Sequence, residues 1–178
     1  MKFNKNLIKF AIVALCLLCL AFTANAQKRR AKTKTTKAPT TTTAPTSNAE
    51  IRSGADKVST QIKNVSKFIF VLGGVAKGIE DIDKEAKTGR VSREITDKNA
   101  QFKQDVLQSI RNLRAGLVAL EIEFRTKPAL KNYLFQIQGI SDMTGTAEDQ
   151  ATAGQLTESG KTLLLVIEKL SDTLAALP

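Results

Sequence analysis

Apolar residues return along the chain in alternating steps of four and three. From Ile51 they fall at Ala55, Val58, Ile62, Val65, Ile69, Leu72, Ala76, Ile79, Ile82 and Ala86, the heptad spacing that keeps one stripe of a helix turned toward a neighbour. The pattern predicts one long helix over residues 47–87, stopped at Thr88-Gly89-Arg90 by a glycine where a helix end needs one. A second helix is predicted from Ser92, with Ile95, Phe102, Val106, Ile110, Leu113, Leu117, Leu120 and Phe124 on one face. Thr126-Lys127-Pro128 ends it, because proline cannot continue a helix but suits a first turn. Leu130, Leu134 and Ile137 mark a short third helix to Asp142, broken at Met143-Thr144-Gly145. Thr146-Ala147-Glu148-Asp149 then reads as the cap and first turn of the last helix. Its stripe is Ala153, Leu156, Gly160, Leu163, Ile167, Leu170, Leu174 and Leu177.

No segment alternates with a period of two between turn signals, as a half-buried strand would. Glu80 and Lys84, Asp83 and Lys87, Glu94 and Lys98, and Glu121 and Arg125 each place an acid four residues before a base, the favourable helical order. The expected fold class is all-α: an antiparallel helical bundle of three long helices and one short helix over residues 49–178. Heptad seams of this length also support self-association or a helical protein partner.

The first 26 residues follow a different pattern. Lys2, Lys5 and Lys9 precede an apolar run of 13 residues, 10–22, and Ala24-Asn25-Ala26 closes it with small residues. This is the three-part layout of a signal peptide cleaved after Ala26; the run falls short of the roughly 20 residues that span a bilayer. Cys19 does not fit a lipoprotein acceptor, because Leu18 stands before it where a small residue belongs. Cleavage removes both cysteines, Cys16 and Cys19, and the chain has no histidine. The mature protein is then without disulfides, thiol or histidine nucleophiles and the usual zinc ligands. An exported domain without disulfides fits a bacterial periplasm or exterior better than an animal secretion.

Charge divides the remainder sharply. The net charge is +10, yet 18 of the 27 basic residues lie at 49–178 beside all 17 acidic ones. The excess sits in residues 27–48, QKRRAKTKTTKAPTTTTAPTSN, where Lys28, Arg29, Arg30, Lys32, Lys34 and Lys37 have no acidic neighbour. This segment holds too little apolar surface to offset the entropy of ordering, so a disordered basic linker is expected. It is either a solvated spacer or a binding element for an anionic envelope polymer, an anionic lipid surface or nucleic acid.

Residues 154–162, GQLTESGKT, approach a phosphate-binding loop without reaching it. Five residues separate Gly154 from Gly160, one more than the G-x-x-x-x-G-K-[ST] pattern allows. The polar stretch before them, TAEDQATA, is no buried strand. No nucleotide and no cofactor is expected; Gly154, Ser159 and Gly160 read as a helix face closely approached by a neighbour. Residues 68–76, FIFVLGGVA, stay in register with the heptad seam and read as a buried mid-helix segment, too short at about 14 Å to cross a bilayer. Glu80, Asp81, Asp83 and Glu85 lack the glycine of a calcium loop and have lysines among them. Glu121 and Glu123 are two apart on a helix and do not face each other as a hydrolytic pair would. These readings converge on an exported, non-enzymatic bundle acting by macromolecular contact, with a membrane-active bundle that exposes 68–76 as the alternative.

Overall fold

A computed structural model describes the backbone of residues 44–178 and the side chains from Ser47 onward. Residues 1–26, expected to be a signal peptide, and the basic residues Lys28 to Lys37 of the expected linker lie outside the described residues. Within them the chain is entirely helical. Helix α1 covers Ala44–Lys87 and α2 covers Arg93–Thr126; a 3-10 turn at Lys131–Tyr133 and the single turn α3, Leu134–Ile137, lead into α4, Ile140–Thr152, and α5, Leu156–Ala176.

The four substantial helices close a ring in which α1 lies against α2 and α5, and α4 lies against the same two. Cross-helix pairs fix the directions. Lys57 meets Glu123 and Lys103 meets Asp83, so α1 and α2 are antiparallel. Arg111 meets Glu148 and Glu121 meets Gly139, so α2 and α4 are antiparallel. Glu80 meets Thr157 while Leu72 lies 3.5 Å from where a Cβ on Gly160 would stand, so α1 and α5 are antiparallel. The result is an up-down-up-down bundle. Its interior is filled by Val58 and Val65 of α1, Ile110, Leu117 and Phe124 of α2, Ile140 of α4, and Leu163 and Leu170 of α5, all fully buried.

The heptad stripe of α1 is the one the fold buries: from Ile51 to Ala86 none of its eleven positions is exposed. On α2 the stripe holds from Phe102 to Phe124, but Ile95 is 41% exposed, and the first buried position of the helix, one turn further on, is Asn99. On α5 it holds from Leu156 onward, and Ala153 is exposed in the turn before it.

The connection between α2 and α5 departs from expectation. The chain does not break at Met143-Thr144-Gly145, which lie inside α4. The breaks fall at Gly139 and Gly154, with φ of 88° and 78°, a left-handed backbone that glycine adopts without a Cβ clash. Gly145 has a packing role instead: a Cβ there would come within 3.3 Å of the Arg114 guanidinium, which crosses α4 to reach Glu148. Two expected surface pairs, Glu94 with Lys98 and Glu121 with Arg125, are formed. The other two are not: Glu80 reaches α5, Asp83 reaches α2, and Lys84 meets Asp81.

Candidate functional site

The GQLTESGKT stretch is the turn and first two turns of α5. Gly154 makes the left-handed turn, Leu156 opens the helix fully buried, and the Ser159 hydroxyl donates to the Ala147 carbonyl at 2.7 Å. Ser159 and Gly160 thus do lie where neighbours approach, whereas Gly154 is a turn residue. The Thr157 N–H, one of the free donors of the helix start, is taken by Glu80 Oε1 at 2.8 Å, and the Thr157 hydroxyl by Oε2 at 3.2 Å. A carboxylate therefore occupies the position a phosphate would need.

Helix α4 starts by the same device. Its N-cap, Gly139, has no side chain, and the missing acceptor comes from Glu121 of α2. The Gly139 and Ser141 N–H groups and the Ser141 hydroxyl donate to this carboxylate at 3.1, 3.3 and 2.7 Å. Burial pushes the Glu121 carboxyl up, but these donors and Arg125 outweigh it and hold the group below the usual carboxylate range. Glu123 is likewise lowered against its burial by Lys127 and Lys57, and Glu148 is lowered by Arg111 and Arg114. Each carboxylate is held ionised as a brace, which is the opposite of what a general acid at neutral pH requires. Glu121 and Glu123 point to different helices, as their spacing predicts.

Between α1 and α5 the described residues form a groove of about 430 Å³. Ile69, Leu72, Ala76 and Leu156 form its apolar floor; Lys77, Lys84 and Lys161 stand on its rim. Gly73 and Gly160 line it too, and their missing side chains are why it is open: nothing lies within 4 Å of a Cβ placed on Gly73. Of the rim acids, Asp81 is paired with Lys84 and Glu80 is committed to Thr157.

Above this groove the segment 68–76 divides by face. Phe68, Leu72 and Ala76 are core, while Phe70 is 85% exposed and Gly73 and Gly74 are bare backbone on the outside. The expectation of a wholly buried segment is corrected on that face. The uniformly apolar run FIFVLGGVA concealed it, yet the helical period supplies the signal: a stripe through Ile69, Leu72 and Ala76 leaves Phe70 about 100° away from Ile69. Leu164 of α5, 52% exposed, shares the groove with Ile69 and Gly73 and so stands at the level of Phe70.

Among the described residues no three His, Cys, Asp or Glu side chains converge as metal ligands, and no helix is long and apolar enough to cross a membrane. No family model, no curated protein and no solved structure matches the chain.

Proposed function

We propose that this is an exported, non-enzymatic bundle protein of a cell envelope or exterior, which acts by macromolecular contact and binds anionic polymers or surfaces through its basic tail. The observation that carries this reading is the separation of charge. Residues 27–48 hold six basic residues and no acid, whereas residues 49–178 balance 18 basic residues against 17 acidic ones, among which Glu80, Asp83, Glu121 and Glu148 cap helices or brace neighbours. With no acid within the segment, its charge suits contact with a polyanion, and such contact weakens steeply with salt. The lowered carboxylates and the lack of cysteine and histidine beyond residue 26 support a role without catalysis. Opening the bundle to insert 68–76 into a membrane would uncover Phe68, Leu72 and Ala76 from the core, so the tail-led reading is preferred.

The test is co-sedimentation of the chain from Gln27 with an anionic envelope polymer and with anionic vesicles, at low and high salt. Replacing Lys28, Arg29, Arg30, Lys32, Lys34 and Lys37 with Gln should weaken low-salt binding by on the order of ten-thousand-fold, since each basic residue near an anionic surface contributes about 1 kcal/mol. Equal binding by the two forms sinks the tail's role.

A further inference from the structure

We infer that the α1–α5 face centred on Phe70 docks, without opening the bundle, on the surface of an anionic lipid bilayer. This rests on the anionic-surface reading above and names a second, separate contact for it.

Residues 57–79 of α1 contain Lys57, Lys63, Lys67 and Lys77 and no acidic residue. Lys57 is used internally, against Glu123. Lys63, Lys67 and Lys77 are exposed and form no ion pair among the described residues. Phe70 stands between them, one turn after Lys67 and two turns before Lys77, and Leu164 stands across the groove at the same level. An exposed aromatic flanked along its helix by lysines, with a leucine across the groove, is the chemistry of an interfacial contact: the ring and methyl groups enter the headgroup boundary while ammonium groups meet lipid phosphates. Gly73 and Gly74 leave no side chain beside Phe70 to hold the backbone away from the surface.

Charge decides among occupants. A second copy of this chain would bring the same lysines toward one another across a two-fold contact, and like charges so placed disfavour it. The basic tail is excluded from this face for the same reason. The rim acids Asp81 and Glu80 are engaged by Lys84 and Thr157, but Glu168 of α5, an exposed residue one turn beyond Leu164, makes no ion pair among the described residues and opposes the assignment. It supplies a test of sign. A face for an anionic surface should bind better when Glu168 is neutralised.

The tail and the face would act together as two weak signals, neither sufficient for stable anchoring alone. The experiment measures partition of the chain from Gln27 onto vesicles of phosphatidylglycerol mixed with phosphatidylcholine, and onto phosphatidylcholine alone. Variants carry Phe70→Ser, or Lys63→Gln with Lys67→Gln and Lys77→Gln, or Glu168→Gln, each with the tail intact; thermal melts check that each is folded. The expected results on anionic vesicles are a loss of about tenfold for F70S, a loss of about a hundred-fold for the triple variant, and a gain of about fivefold for E168Q. Phosphatidylcholine alone should bind weakly and distinguish none of them. Wild-type binding by the folded F70S and triple variants overturns the docking face, and leaves the tail's role to its own neutralised variant. Binding to a soluble anionic polymer but not to vesicles overturns it as well, while sparing the polyanion reading.

Discussion

Residues 80–85 of α1 carry Glu80, Asp81, Asp83 and Glu85, whereas residues 57–79 carry four lysines and no carboxylate. The acidic stretch is turned into structure. Glu80 caps α5, Asp83 accepts from Lys103 at 2.9 Å and from the buried Asn99 amide at 2.8 Å, and Asp81 holds Lys84. In the basic stretch only Lys57 has a structural partner. Two acids of this stretch, Glu80 and Asp83, thus reach neighbouring helices, while Lys63, Lys67 and Lys77 are exposed without an ion pair among the described residues. Elsewhere in the bundle Glu121, Glu123 and Glu148 also brace another helix.

The carboxylate side of the comparison should yield the largest effect. Glu121→Ala removes the acceptor for two backbone N–H groups and a hydroxyl at the start of α4, and should cost about 2–3 kcal/mol in urea unfolding. Its folded pKa is depressed below the ordinary 4.5. The stability it contributes is therefore complete above that value and is lost as pH falls through the lower folded one. Glu123 and Glu148 share the sign. Urea midpoints should fall steeply below about pH 4.5 for the wild type and less steeply for Glu121→Ala, whose loss is already taken. An acid limb equally steep in both would mean that Glu121 is not a brace.

These braces mark where sequence reading stopped. The heptad stripes were legible because a helix repeats its own geometry, so Val58, Val65 and Leu72 declare their face without knowing their neighbours. The partners of Glu80 and Asp83 were not, because Lys84 and Lys87 satisfy the same local spacing and only the packed bundle brings Thr157 and Lys103 closer. Met143-Thr144-Gly145 looked like a helix break because glycine is a weak helix former, but Arg114 packs over Gly145 and Thr144 donates to the Ile140 carbonyl within the helix. Buried Asn99, Ser159 and Thr173 sit on polar letters that no apolar stripe includes. Of the candidate site, the basic composition of residues 27–48 was plain; the outward turn of Phe70 was present in the helical period but concealed by the uniformly apolar run around it, and its neighbour Leu164 across the groove required the packed bundle.

The glycine pair beside Phe70 tests whether that outer face is part of the packing. A Cβ on Gly73 or Gly74 meets nothing within 4 Å, and both are helical. Gly73→Ala and Gly74→Ala should each raise stability by about 0.5–1 kcal/mol, the ordinary gain of alanine over glycine in a helix. A loss in the thermal or urea midpoint would mean that something in the fold already needs that space.

The smallest effect is the one that separates the two stretches most cleanly. Lys63→Gln, Lys67→Gln and Lys77→Gln together should shift the urea unfolding free energy by no more than about 0.5 kcal/mol, because exposed side chains without partners contribute little to the folded state. Three charges removed from α1 would then matter less than one carboxylate removed from α2, although all are ionised groups on the same bundle. The difference lies in what each group faces: Glu121 has four donors converging on it, and the lysines face solvent. A loss comparable to that of Glu121→Ala would show that the lysines stabilise the fold and would remove the argument that their charge is free for a partner.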